Sequence, residues 1–81
     1  MKVRLMLFAM ARDICGQEVI EVELASGATM GDLRIALGAK MPDLSALMGS
    51  SMFAAGAEYV PDDFPLKEGV EVACIPPVSG G

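Results

Sequence analysis

Residues 70–81 read VEVACIPPVSGG, and this stretch decides how the chain is expected to fold. Apolar side chains alternate over 70–75, a pattern typical of a β-strand with one side towards the core. Two prolines follow and end the strand, because proline has no N–H for a β-ladder and favours extended backbone before it. We therefore predict a folded domain over 1–75 and a flexible Gly-Gly tail over 76–81.

Two more strands are expected near the start of the chain. Residues 2–10 alternate, and their core-facing side consists of Val3, Leu5, Leu7 and Ala9. The opposite side begins with charged residues and becomes apolar at Met6, Phe8 and Met10. Residues 18–24 alternate again after a loop over 12–17, so the two segments predict an antiparallel hairpin.

A helix is expected to begin after Thr29, because Thr29 and Asp32 resemble a capping box with Asp in place of Glu. Apolar residues at 30, 33, 37 and 41 recur at helical spacing, and Pro42 ends the helix. A short helical turn is expected over 43–48. Two short strands are expected after it, over 51–55 and 58–60.

This order of elements predicts an α+β fold in which one main helix crosses a small mixed sheet. The 81 residues make a single domain. Among small folds of this kind we favour the ubiquitin-like β-grasp topology, in which the first and last strands are parallel neighbours in the middle of the sheet. That arrangement follows from recognising the fold type, since periodicity alone does not fix the order of strands.

The composition excludes several classes of function. The formal net charge is −5, with 11 acidic and 6 basic residues, which argues against a nucleic-acid partner. The sequence has no His, which excludes self-contained Ser-His or Cys-His catalysis. Cys15 and Cys74 lack the spacing of metal ligands, so no metal site is expected. No apolar run approaches about 18 residues, so no membrane is expected as a partner.

The N-terminal residues help to predict the cellular compartment of the protein. Lys2 and Arg4 precede a short apolar stretch over 5–10, and residues 9–11 resemble a signal-peptidase site. The stretch is shorter than the at least about 7 residues that a secretory signal needs, and cleavage would remove the first strand. We therefore expect a cytoplasmic protein. Two thiols in an otherwise ordinary chain fit a reducing compartment, although a single disulfide stays open.

The tail offers an unhindered carboxylate. Six extended residues span at most about 20 Å, which is long enough to enter the active site of another protein. Gly80 and Gly81 have no Cβ atoms, so this end fits a narrow channel. The alternative is an ordinary frayed terminus, since chain ends are commonly disordered.

Residues 72–81, VACIPPVSGG, resemble the end of MoaD-type proteins, which are the small subunits of molybdopterin synthase among the ubiquitin-like sulfur carriers. Further matching segments are Phe8-Ala9 with Arg12, residues 27–33 and residues 65–69. The resemblance therefore spans nearly the whole chain. Two positions depart from the pattern, since relatives usually carry an aromatic residue at Cys74 and a polar one at Gly56.

The resemblance implies a sulfur-transfer chemistry at the tail. An activating enzyme adenylates Gly81, a sulfur donor replaces AMP, and the thiocarboxylate enters a large catalytic subunit. There it donates sulfur to cyclic pyranopterin monophosphate, and two such deliveries build the dithiolene of molybdopterin. Gly81, with Gly80 before it, is then the reacting end of a non-autonomous sulfurtransferase subunit in a two-plus-two assembly. No permanently bound cofactor is implied, only the transient AMP adduct and the thiocarboxylate sulfur.

A partner surface is expected beside the root of the tail. Strand parity places an apolar patch on the outward side of two neighbouring strands, formed by Met6, Phe8, Ala73 and Ile75. The tail residues expected to bind the same partner are Pro76, Pro77, Val78 and Ser79. Arg12 resembles a basic position near the family's interface, and a solvated loop charge is the alternative. Parity also places the Cys74 thiol in the core, whereas a role for Cys15 stays open.

Two rival functions stay open at this point. One is a sulfur carrier for another pathway, such as thiamine thiazole synthesis or tRNA thiolation, or a ubiquitin-like protein modifier, because these share the fold and the Gly-Gly end. The other is a plain interaction domain whose Gly-Gly end is incidental.

Overall fold

The computed structural model describes residues 1–77, which form a five-stranded sheet with one face covered by helices. The elements are β1 (Lys2–Leu7), α1 (Ala9–Cys15), β2 (Val19–Glu23), α2 (Met30–Lys40), a 3₁₀ turn (Pro42–Leu44), α3 (Ser45–Met48), β3 (Met52–Ala55), β4 (Glu58–Tyr59) and β5 (Glu71–Ile75). The strand order is β2-β1-β5-β3-β4. A mixed sheet crossed by one main helix confirms the predicted α+β, β-grasp architecture.

The first and last strands are parallel neighbours, as predicted. Their register sets Arg4 opposite Glu71 and Met6 opposite Ala73. The other pairings are antiparallel, with β2 on the far side of β1 and β3 on the far side of β5. Strand β5 is therefore the central strand, and the segment that follows it leaves from the middle of the sheet.

The core lies between the inner face of the sheet and α2. The largest fully buried side chains are Phe53, Leu5, Met30, Leu33, Leu37, Leu44, Val3, Val72 and Cys74. The predicted capping box begins α2: the Asp32 N–H donates to Thr29 Oγ1 (3.3 Å), and the Thr29 N–H donates to Asp32 Oδ2 (2.9 Å). These bonds satisfy two backbone donors that a bare helix end would leave without partners.

The prediction of a strand over residues 2–10 was wrong at its C-terminal end. Strand β1 ends at Leu7, and the segment expected to be strand and loop forms α1. Alanine, methionine and arginine favour helix, and the helix buries Ala11 where the alternation predicted a core-facing Ala9. Gly16 ends α1 in the left-handed conformation (φ 76°), and its N–H donates to the Arg12 carbonyl (2.8 Å).

Arg34 ties α2 to the rest of the domain, a role that the sequence pattern did not predict. Its Nη1 donates to the carbonyl oxygens of Met48 and Ser51, and Nη2 donates to Asp62 Oδ1 at 3.0 Å. Its guanidinium lies 4.8 Å from the centre of the Phe53 ring, within the range of a cation–π contact. One side chain thus connects the helix, the approach to β3 and the loop before β5.

The two glycines of α2 are expected to respond differently to replacement by alanine. A Cβ atom at Gly31 would lie 3.2 Å from both Cβ and O of Asp62, whereas the nearest atom to a Cβ at Gly38 is at 3.6 Å. Gly38→Ala is therefore expected to stabilise the domain by about 0.5–1 kcal/mol through lower backbone entropy of the unfolded chain. Gly31→Ala should lose that gain, because the Asp62 backbone accepts a hydrogen bond from the Gly31 N–H and resists displacement.

The check is urea unfolding of the two variants beside the wild-type chain. We expect Gly38→Ala to exceed Gly31→Ala by about 1 kcal/mol in the free energy of unfolding. Equal gains in both variants would show that the loop at Asp62 yields without cost.

Candidate functional site

An apolar groove crosses the outer face of the sheet, on the side away from α2. Its volume is about 320 Å³, and it is lined by Met6, Phe8, Ala54, Gly56, Ala57, Tyr59, Ala73 and Ile75. These residues come from β1, β5 and the β3–β4 hairpin, so three chain segments build one surface. The four residues of the predicted patch all lie in it, although their role in binding a partner stays a prediction.

Strand register explains the shape of the groove. Ala73 lies between Met6 on β1 and Ala54 on β3, so small side chains form the floor. Phe8 and Tyr59 stand at the rim and are 44% and 60% exposed. A concave apolar surface with exposed aromatic rims can accept apolar side chains from another protein. The sequence pattern did not predict that Gly56 and Tyr59 line the groove, and the pairing of β3 with β4 explains why both do.

The groove lies beside the root of the tail. Ile75 is the last residue of β5 and lines the groove, Pro76 is buried, and Pro77 is exposed. The predicted strand end before the two prolines is confirmed. Val78, Ser79, Gly80 and Gly81, to which we assigned partner binding and chemistry, lie outside the described residues. Their roles stay predictions.

Arg12 extends this surface on one side. It lies on α1, not in a loop, and lines a second groove of about 220 Å³ together with Met6, Leu7, Phe8, Glu18 and Val19. Met6 and Phe8 border both grooves. The Arg12 guanidinium is about half exposed, and its contact with Asp13 is long, at 3.9 Å between Nε and Oδ1. A cation therefore lies at the edge of the apolar surface and is accessible to a partner's acidic group.

The two thiols lie in different surroundings. Cys74 is fully buried on the core side of β5, as strand parity predicted. Burial raises the pKa of the Cys74 thiol, and a hydrogen bond with Ser51 and the charge of Arg34 offset only part of that rise. Cys15 is half-buried at the end of α1, and both thiols are free.

The buried Cys74 thiol is expected to lower the stability of the folded domain at alkaline pH. The folded state holds its proton more tightly than the unfolded state, so the thiol contributes stability that is fully present below the ordinary pKa of about 8.5 and declines above it. The loss should grow as the pH rises above that value, because the unfolded chain releases the thiol proton first. Urea unfolding at several pH values should show this decline in the wild-type chain and in Cys15→Ala. Cys74→Ala should lack it; the same alkaline slope in all three proteins would contradict the assignment.

Two absences concern the described part of the chain. Within residues 1–77, no helix is both long and apolar enough to cross a bilayer. Over the same residues, no three or more His, Cys, Asp or Glu side chains are grouped in a way that could hold a metal ion.

Comparison with known sequences identifies relatives over the whole length. The profile of the ThiS family matches residues 5–81. The chain is 40% identical over 83 residues to the molybdopterin synthase sulfur carrier subunit of Chlamydomonas reinhardtii, and the match covers 100% of both chains.

Solved structures with the same fold match nearly the whole chain. SAMP1 from Haloferax volcanii has a TM-score of 0.87 and 27% identity, with 100% of both chains covered. A putative molybdopterin converting factor subunit 1 from Pyrococcus furiosus has a TM-score of 0.84 and 28% identity, over 95% of this chain and 98% of that one. The complex of subunits 1 and 2 of the molybdopterin-converting factor from Helicobacter pylori matches with a TM-score of 0.71 and 23% identity, over 100% of both chains, and shows the fold alone.

These matches confirm the resemblance to MoaD-type proteins that the last residues predicted. The family profile begins within β1 and extends through the Gly-Gly end, so it includes both the groove and the tail. The chain is therefore a member of the ThiS family.

Proposed function

We propose that this chain is the sulfur-carrier small subunit of molybdopterin synthase, with the sulfur carried on Gly81. The observation that supports this most is the 40% identity, over the full length of both chains, to a sulfur carrier subunit of that enzyme. The Gly-Gly end supplies a carboxylate that no side chain hinders. The groove beside the tail root supplies a surface that a second protein can bind.

The first half of the reaction loads the sulfur. In an activating enzyme, a Gly81 carboxylate oxygen attacks the α-phosphorus of ATP, which gives an acyl-adenylate and releases pyrophosphate. Sulfur supplied at the sulfide oxidation level then attacks the acyl carbon, AMP leaves, and the product is a thiocarboxylate. Adenylation makes the carboxyl carbon electrophilic, because AMP is a far better leaving group than an oxide ion. The chain contributes the acyl group alone, and the activating enzyme contributes the nucleotide site.

The second half delivers the sulfur. The thiocarboxylate sulfur, a soft nucleophile, attacks a carbon of cyclic pyranopterin monophosphate in the large subunit. An oxygen substituent of that carbon leaves, either as water or as the oxygen of the opening cyclic phosphate. Water then cleaves the acyl–sulfur bond, so that the sulfur stays on the pterin and Gly81 returns to a carboxylate. Two such deliveries complete the dithiolene. This chain has no His and a net charge of −5, so we assign the base and the phosphate-binding cations to the large subunit.

The apolar groove is the surface that we assign to the large subunit. Docking there would fix β5, and with it the point from which the tail leaves, relative to the partner's active site. A solved protein with this fold was determined as a complex of subunits 1 and 2 of the molybdopterin-converting factor. We propose a partner of that kind for this chain, in the two-plus-two assembly that the family resemblance implies. We place the protein in the cytoplasm, where reducing conditions keep Cys15 and Cys74 as thiols.

Intact mass spectrometry tests the loading step. The purified chain is incubated with an activating enzyme of this family, ATP and a sulfur donor. We expect a mass increase equal to the replacement of one oxygen by sulfur, located at Gly81 by fragmentation. Omitting ATP should abolish the shift. An unchanged mass with several such enzymes, each shown to load its own carrier, would overturn the proposal and favour a plain interaction domain.

A protein modifier is the second candidate, and the match to SAMP1 with a TM-score of 0.87 favours it. Solved proteins described as small archaeal modifiers share this fold. In that case the Gly81 acyl-adenylate or a thioester formed from it would be attacked by a lysine amine, which gives an isopeptide bond in place of a thiocarboxylate. The same incubation with cell extract added distinguishes the two, because only a modifier yields branched peptides that end in Gly-Gly on lysine.

A further inference from the structure

Two sulfur atoms from distant parts of the chain meet beside a small cavity. Cys15 is the last residue of α1, and Met41 follows the last residue of α2. The Cys15 thiol donates to the Met41 thioether, with 3.4 Å between Sγ and Sδ. Both residues are half-buried and pack against the core. They are 26 positions apart in sequence, so the contact forms only when the chain folds.

Backbone hydrogen bonds define the ends of the two helices, α1 and α2, that carry these sulfur atoms. Gly16 ends α1 with an N–H bonded to the Arg12 carbonyl (2.8 Å), which positions the last turn. The Met41 N–H donates to the Leu37 carbonyl (2.9 Å), so the end of α2 is equally defined. The methionine side chain has three rotatable bonds, so its sulfur can move to accommodate an inserted atom.

The cavity at this contact has a volume of about 200 Å³ and is lined by Ile14, Cys15, Met41, Pro42, Asp43 and Leu44. Three of these residues are aliphatic, and Asp43 contributes the one carboxylate of the lining. An ion that enters therefore meets two soft sulfur donors and a single carboxylate among the side chains of the lining. Oxygen-preferring cations such as Mg²⁺ or Ca²⁺ would have too few ligands here, since they need about six oxygens.

We propose that Cys15 and Met41 form a binding site for a thiophilic monovalent d¹⁰ cation, of the class of Cu(I) and Ag(I). A thiolate and a thioether are the ligands that such soft ions prefer, and ions of this class accept low coordination numbers. On binding, the thiol proton passes to solvent and the cation takes the place of the S–H···S contact. Because the two residues come together only on folding, the spacing of the cysteines in the sequence does not indicate the site.

The second thiol does not compete for the same ion. Cys74 is fully buried and lines none of the three cavities described, and burial raises the pKa of its thiol, which disfavours the thiolate. The site also lies apart from the groove, which shares no lining residue with this cavity. It therefore lies outside the surface that we assign to the large subunit.

Silver nitrate is the probe, because Ag(I) does not change oxidation state in air. The chain in its carboxylate form is titrated in competition with a thioether chelator of known affinity. We expect one equivalent bound tightly, a loss of that binding in Cys15→Ser, and at least about tenfold weaker binding in Met41→Leu. Met52→Leu is the matched control, since Met52 is 52% exposed on β3 and should leave the affinity unchanged.

X-ray absorption at the silver edge provides a second readout. Two sulfur neighbours are expected in the wild-type chain and one in Met41→Leu. Circular dichroism confirms that each variant is folded, and the Met-to-Leu exchange conserves volume and is well tolerated in cores. Wild-type affinity in Met41→Leu, tight binding that survives in Cys15→Ser, or no tight binding at all would each overturn the proposal.

Discussion

Removal of Gly81 is expected to abolish sulfur transfer while the domain stays folded. Without the terminal glycine, the carboxylate moves back by one residue and no longer reaches the reacting atoms, and a misplacement of even about 1 Å can cost about 100-fold in rate. Truncation by a whole residue should therefore lower molybdopterin formation by at least about 1,000-fold, or about 4 kcal/mol. The assay is product formation with the large subunit, an activating enzyme, ATP and a sulfur donor.

Stability provides the internal control for this variant. The buried core is built from residues between Val3 and Cys74, so deletion of Gly81 should change the free energy of unfolding by less than about 0.5 kcal/mol. Lys67→Ala is the matched control, because it shortens an exposed side chain outside the tail and keeps the Gly-Gly end, and it should retain activity within a few-fold. Activity that survives the deletion, or a large loss of stability, would show that Gly81 is not the reacting residue.

Replacement of Phe8 by Asp is expected to separate this chain from its large subunit. The carboxylate would lie at the rim of the apolar groove, where docking removes it from water, at a cost of about 2–5 kcal/mol. Affinity should therefore fall by at least about 30-fold. The domain should tolerate the change, because Phe8 is the N-cap of α1 without a side-chain capping bond, and Asp is a favoured N-cap.

The matched control is Ile35→Asp. Ile35 is 73% exposed on α2, on the opposite side of the domain from the groove, so the same change of charge occurs away from the proposed interface. Isothermal titration of each variant with the large subunit measures the difference. Equal weakening in both variants, or none in Phe8→Asp, would place the interface elsewhere.

Much of the fold follows from local patterns in the sequence. The alternation in β1 and β5 indicates which side chains face inward, and the structure buries Val3, Leu5 and Cys74 accordingly. The Thr29–Asp32 capping box indicates where α2 begins, because its bonds join residues only three positions apart. The outward patch follows from the same parity once the parallel pairing of the two strands is assumed.

Other features depend on contacts that no local pattern encodes. The first strand was predicted to be too long, because the alternation of apolar residues continues through Phe8 and Met10. The backbone becomes helical at Ala9, where α1 begins. Arg34 reads as an ordinary helix charge until folding brings the Ser51 carbonyl and the Phe53 ring to it. The meeting of Cys15 with Met41 is of the same kind, since two helix ends must first pack together.

A single-turnover sulfur transfer is the sharpest test of Gly81 as the residue that delivers sulfur. The chain with a preformed Gly81 thiocarboxylate is mixed with the large subunit and cyclic pyranopterin monophosphate, without ATP or activating enzyme. We expect the mass of the chain to return to that of the carboxylate form as the dithiolene appears, with two chains consumed for each molybdopterin formed. A thiocarboxylate that persists, or that loses its sulfur to solvent while the pterin stays unchanged, would show that Gly81 does not deliver sulfur to the pterin.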